Sequence, residues 1–348
     1  MTTALPPAVA WPAGVILAAL LGSFLNVCIS RLPRGESVVL PSSHCPACRS
    51  PIRAVDNIPL VSYLVLGGRC RACGAAISWR YPLVEVLAIA MGALTLWQLG
   101  PTWAAARAFL LCLVMIAVAF TDLETRRIPD RITLPGIVGA CILAPEGLSR
   151  ASAGAAVGAI AFALIAVMRA RGAALRGETA SPEPDPSEPD PEDEVDPAER
   201  RRLDIYWATA WGALAGRQLA VVSPAGLVAG DLPLTWRALS QIDPLVAGCL
   251  ITGGMFFVVA WVSHVALGRT GLGGGDVKLA ALIGAALGAG VGLVAAFVGI
   301  MLGGVVAAAL LVTGRRRFGE SLPFGPFLAA GGVVAAIWGE PLLRWYLG

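Results

Sequence analysis

The chain has 348 residues, of which 57% are hydrophobic and only 14% charged. A water-soluble domain of that composition would expose large apolar patches, which rules out a soluble enzyme. The formal charge of +3 averages a stretch at 178–199 with ten acidic residues and no basic one against a basic remainder, and no nucleic-acid partner is expected. Several charge-poor runs reach the ~18–20 residues needed to cross a bilayer. The expectation is an all-α polytopic membrane protein with about 8–10 transmembrane helices.

The first span is expected at 12–30. No Lys or Arg precedes Arg31, so it reads as a retained helix and not as a cleaved signal. The polar loop 31–81 carries seven arginines against Glu36 and Asp56, and the positive-inside rule places it in the cytoplasm. Spans follow at 83–99 and 104–120, then the cytoplasmic stretch "TDLETRRIPDR" and a short span at 131–144. Residues 146–242 read as an insertion with candidate spans at 151–169 and 205–229 around an acidic linker at 177–202. Six prolines and almost no apolar residues make that linker unable to bury enough surface to fold. The last spans are expected at 244–267, 277–292, 293–313 and 324–345, so that 83–145 and 243–345 form the membrane core. If the residues before Asp276 share the cytoplasmic side with Asp122, an even number of spans separates them, which favours a crossing at 205–229.

"CPAC" at 45–48 and "CRAC" at 70–73 form two C-x-x-C pairs. Cys45, Cys48, Cys70 and Cys73 can complete a tetrahedron around Zn²⁺, leaving no open position, which makes such a metal structural. Pro46 and Gly74 suit the tight turns involved. Two disulfides are the competing arrangement, but they need an oxidising compartment. His44 reads as a bystander, and Cys28, Cys112, Cys141 and Cys249 as plain core residues within spans.

Acids near spans are costly and point to function. Asp276 follows Gly271, Gly273, Gly274 and Gly275 in "TGLGGGDVKLAALIG". It can serve as a helix N-cap, but Gly273 and Gly275 in particular clear side chains as if for a close-approaching backbone or substrate. Lys278 reads as an interfacial anchor. Asp122 sits near a helix C-terminus, where its charge meets the negative end of the dipole. Arg126 and Arg127 offer an ion-pair explanation. Asp130 reads as a cap for the next span, and Glu85 as a partner for a loop arginine. Two aspartates brought together can share a proton, one acting as general base on water and the other polarising the carbonyl. No Ser–His–Asp arrangement or phosphate loop offers different chemistry. A proton-coupled transporter or channel, and a non-catalytic zinc scaffold of a secretion platform, are the alternatives.

The blocks "GSFLNVCISRLPRGESVVLPSSHCPAC", "DNIPLVSYLVLGGRCRACGAAISWRYPLVE", "TDLETRRIPD", "GLGGGDVKLAALIG" and "FGPFLA" occur in the order found in bacterial type IV prepilin peptidases, membrane aspartyl proteases with a Gly-x-Gly-Asp motif. The chain resembles that family over about residues 14–145 and 243–330. The resemblance implies that Asp122 and Asp276 are the catalytic pair. It implies removal of the short basic leader of type IV prepilins or type II secretion pseudopilins at the cytoplasmic face of the bacterial inner membrane. It also implies N-methylation of the new N-terminus with S-adenosylmethionine, an activity that accompanies the cysteine loop. The residues that bind that cofactor are not identified by the resemblance. Compared with the family pattern, 146–242 is additional sequence between the two aspartates.

Overall fold

The computed structural model describes residues 7–143, 243–267, 272–315 and 322–348. Nine α-helices are present among them, with no strand: α1 Pro7–Arg31, α2 Val61–Val65, α3 Arg80–Leu99, α4 Trp103–Thr125, α5 Asp130–Ile142, α6 Pro244–Leu267, α7 Gly274–Leu287, α8 Ala289–Val312 and α9 Gly325–Leu347. Six of them, all but α2, α5 and α7, are long and apolar enough to cross a bilayer. The chain is an all-helical, multi-pass membrane protein. The segment 146–242, with its acidic linker and the candidate spans at 151–169 and 205–229, lies outside the described residues.

Burial separates the central helix from the peripheral ones. In α4, 61% of the most apolar window is buried inside the protein, whereas in α8 only 22% is, although α8 has the highest mean hydropathy, 2.5. An apolar helix with so much free surface needs lipid around it, and the outward side chains Phe297, Val305 and Val312 are exposed.

Lipid chains are as apolar as leucine, so helices in a bilayer associate through close packing instead of water exclusion. Small residues supply that closeness here. A Cβ on Gly331 of α9 would run into the Ala295 carbonyl of α8, and one on Gly299 of α8 would lie 3.0 Å from the Leu328 Cα of α9. Between α1 and α3, Gly22 faces Ala88 and Gly92 faces Ala18, each leaving 2.8 Å for an added Cβ.

The expected boundary between the spans 277–292 and 293–313 moves. Gly288, with φ 80° and ψ 171°, ends one helix and starts the next. The left-handed φ suits glycine, and its amide closes on the Gly284 carbonyl at 2.8 Å. As a result α7 has 14 residues, about 21 Å of helix, and α5 has 13. Both fall short of a ~30 Å hydrocarbon core. Gly273 and Asp276 therefore stand at the start of a half-length helix.

Helices α1, α3, α4 and α7–α9, with α6 from Gly248 onward, belong to one compact body that also holds the loop 32–79; Thr133–Ala247 forms a second. Within the second, Asp243 caps the start of α6 by accepting the Leu245 N–H at 2.9 Å.

Candidate active site and cysteine centre

Asp122 lies in the last turn of α4, and Asp276 is the third residue of α7. Both are buried, at 6% and 9% exposure, and Asp122 is close enough to act on the charge of Asp276. Each carboxylate is held by one backbone amide. Asp276 Oδ2 accepts the Gly273 N–H at 3.1 Å. Asp122 Oδ2 accepts the Gly325 N–H at 3.0 Å, at the first residue of α9.

The second bond explains a placement that looks unfavourable in the sequence. Asp122 does stand at the negative end of α4, but it also meets the positive end of α9, whose first amides have no partner within their own helix. Arg126 acts on Asp122 only through space. Arg126 instead adopts φ 53° and ends α4 by donating its N–H to the Asp122 carbonyl at 2.8 Å. Gly325 is required at that point, because an added Cβ would lie 2.7 Å from Asp122 Oδ2. In the sequence, the block "FGPFLA" carries no sign of this role for Gly325.

Asp276 differs from the expected N-cap. The helix starts two residues earlier, so Asp276 reaches back from the third helical position to the Gly273 amide, as the acid of a capping box does. Its glycines divide the work. A Cβ on Gly275 would meet the Ile128 side chain at 2.9 Å, so this glycine lets α7 press on the α4–α5 connection. Among the described residues a Cβ added to Gly274 meets nothing within 4 Å, and one added to Gly273 has the Asp276 carboxylate as its closest group, at 3.5 Å.

Lys278 does more than anchor at an interface. Its Nζ forms an ion pair with Asp130 Oδ1, 25% and 13% exposed respectively. With the Gly275–Ile128 contact, this pair ties the aspartate-bearing start of α7 to the loop that leaves Asp122. Glu85 takes no loop arginine; its Oε2 accepts the Leu60 N–H at 2.8 Å and anchors the cysteine loop on α3. The arginine at the start of α3, Arg80, pairs instead with Glu124 of α4 at 2.7 Å.

In that loop the sulfur atoms of Cys45, Cys48, Cys70 and Cys73 lie within 4.8 Å of one another, and all four are free thiols. The Cys45–Cys73 separation of 3.9 Å is close to the about 3.8 Å that a tetrahedron with Zn–S bonds of ~2.3 Å requires. The two halves repeat one fold. Cys45 N–H donates to Ser50 O and Arg49 N–H to Cys45 O; Cys70 N–H donates to Ala75 O and Gly74 N–H to Cys70 O. Arg49 (φ 57°) occupies the left-handed position that Gly74 (φ 70°) occupies in the other half. Hydrogen bonds from Ser50 pull the Cys48 thiol down to about 6, and the amides of Cys73 and Ala72 lower that of Cys70. Those two thiols are readied to ionise and bind a soft cation, whereas that of Cys73, despite a hydrogen bond with the Ala75 backbone, is pushed up to about 11 by Cys48, burial and the other thiols. His44 stays outside the cluster, its Nδ1 3.2 Å from the Ser42 carbonyl. Arg71 grips Asp56 with two N–H groups, at 2.6 and 2.9 Å, and holds its carboxyl below the usual range. Cys112 and Cys249 are buried among apolar side chains, as expected.

Two buried carboxylates at helix ends, each held by a backbone amide, and a cluster of four thiols occur together in this multi-pass protein. The model of the bacterial peptidase A24 N-terminal domain matches residues 16–99, and that of the type IV leader peptidase family matches residues 109–175. The chain is thus similar to type IV leader peptidases over the cysteine loop with its flanking helices and over the region that carries Asp122. It is similar to the prepilin leader peptidase/N-methyltransferase of Aeromonas salmonicida strain A449, 27% identical over 94% of this chain and 90% of the relative. That of Burkholderia pseudomallei strain 1026b is 29% identical over 97% and 88%. That of Neisseria gonorrhoeae is 40% identical over a shorter region, 36% of this chain and 52% of the relative. No solved structure matches the chain.

Proposed function

We propose that this protein is a membrane aspartyl endopeptidase that removes the basic leader of type IV prepilins or type II secretion pseudopilins and N-methylates the new N-terminus. The observation that carries the peptidase reading is the pair Asp122 and Asp276, both buried and each held by a backbone amide. Like charges at short range cannot both stay ionised cheaply, so the pair holds one proton between them. The ionised carboxylate takes a proton from water as the hydroxyl adds to the scissile carbonyl carbon, and the protonated one donates to the carbonyl oxygen. As the C–N bond breaks, the first aspartate returns its proton to the leaving amine and the second recovers its own from the hydroxyl that becomes the new carbonyl. The amides of Gly325 and Gly273 keep the carboxylates oriented throughout, and the Lys278–Asp130 pair holds α7 in register.

Both aspartates and the cysteine loop face the cytoplasm in this reading, supported by seven arginines in the loop 31–81. The site belongs to the bacterial inner membrane. Cys45, Cys48, Cys70 and Cys73 would hold Zn²⁺, and with four sulfurs its role is to brace the loop. S-adenosylmethionine supplies the methyl group when bound.

The test is co-expression with a prepilin and mass spectrometry of the mature N-terminus, which reads cleavage and methylation together. Asp122→Asn and Asp276→Asn should each insert normally and abolish leader removal. Normal cleavage by either variant would refute the assignment.

A further inference from the structure

Arg31, the last residue of α1, is 9% exposed. Its side chain has no acidic partner among the described residues; one guanidinium N–H donates to the Ser37 carbonyl at 3.0 Å. Guanidinium stays charged at any physiological pH, and a buried charge without a counter-charge is costly. Arg31 lines a cleft of about 250 Å³ between α1 and the cysteine loop.

The α1 wall of this cleft is Leu20, Ser23, Phe24, Val27 and Arg31. These residues follow the i, i+3, i+4, i+7 spacing of one helix face, over about 16 Å. The wall runs from apolar residues inside the span to a cation at its end. Leu20 and Phe24 are 56% and 49% exposed, open to the surroundings of the helix. The loop lines the cleft with Val38, Val39 and Pro41 and with Ser42, Ser43 and Asn57, whose hydroxyl and amide groups suit phosphate oxygens.

We propose that this cleft holds one phospholipid, its phosphodiester on Arg31 and its acyl chain along Leu20 and Phe24. Basic pockets at the edge of a membrane span take lipid head groups on these grounds, and an anionic phosphate supplies the missing counter-charge. S-adenosylmethionine fits less well. It carries a sulfonium and an ammonium against one carboxylate, whereas the wall offers an arginine and no acid. The inference is independent of the peptidase reading.

Native mass spectrometry of the delipidated full-length protein tests it, with phosphatidylglycerol, diacylglycerol and glycerol 3-phosphate as probes. Phosphatidylglycerol should be retained at least about tenfold better than diacylglycerol, which lacks the phosphate, or glycerol 3-phosphate, which lacks the chains. Arg31→Gln should weaken retention about tenfold, and Arg31→Lys less. Ser43→Asp, which leaves Arg31 in place and sets a negative charge in the same cleft, should weaken retention too, with helix content by circular dichroism unchanged. Equal retention of phosphatidylglycerol by wild type, Arg31→Gln and Ser43→Asp overturns the proposal. Displacement of the lipid by S-adenosylmethionine also overturns it and makes the cleft the cofactor site.

Discussion

Replacing Gly325 by alanine adds one methyl group where the structure has least room. The new Cβ would lie 2.7 Å from Asp122 Oδ2, 3.0 Å from its Cγ and 3.2 Å from its Cβ. Carbon atoms make contact at ~3.5–4.0 Å, so the carboxylate must turn away or α9 must withdraw. Either movement breaks the 3.0 Å hydrogen bond from the Gly325 amide. A hydrogen bond to a charged group is worth about 1.5–3 kcal/mol, so kcat/KM for leader removal should fall roughly 10- to 150-fold. Stability should change much less, because alanine favours the helix over glycine by up to ~1 kcal/mol. Gly274→Ala is the matched control. It lies two residues from Asp276, with no described residue within 4 Å of its added Cβ, and it should cleave like the wild type. The assay is initial-rate cleavage of a detergent-solubilised prepilin, with thermal unfolding measured on the same samples. Wild-type kcat/KM for Gly325→Ala would show that the amide does not position the catalytic carboxylate.

Lys278→Met removes the positive half of the partly buried Lys278–Asp130 ion pair, which should cost about 2 kcal/mol, between the values for exposed and fully buried pairs. The exchange Lys278→Asp with Asp130→Lys should recover part of the lost cleavage rate, and no recovery would mean that the pair does not act as a unit. Cys45→Ser together with Cys70→Ser should lower zinc content by atomic absorption and reduce methylation more than cleavage. Equal loss of both activities would assign the loop to the fold as a whole. Gly331→Leu should prevent α8 and α9 from closing, seen as lower yield of folded protein in detergent, while leucine at the open position Gly304 should be tolerated.

What the sequence revealed depended on whether the cause was local. The C-x-x-C pairs and the glycine run before Asp276 are short-range patterns, and the structure places the four thiols together and the glycines at a helix start. The partner of Asp122 was not legible, because a backbone amide leaves no side-chain signature and Gly325 lies 203 residues away. Only the steric demand on Gly325 leaves a trace, as a glycine before proline at the start of a span. Lys278 and Asp130 lie 148 residues apart, and each had a sufficient local explanation, as an anchor and as a cap. The halt at Gly288 was hidden by an apolar run that continues on both sides of it. Arg49 takes a left-handed turn that composition would assign to glycine, and only the repeat of the Gly74 knuckle gives it away.

The hydrogen bond from Gly325 to Asp122 also bears on how the protein is made. The ribosome delivers α4 long before α9, so the inserted α4 carries a carboxylate whose amide has yet to be synthesised. Until α9 enters the membrane and closes on α4, Asp122 stands without the amide that holds it. Under the proposed function, leader removal begins only once α9 has been made and has closed on α4.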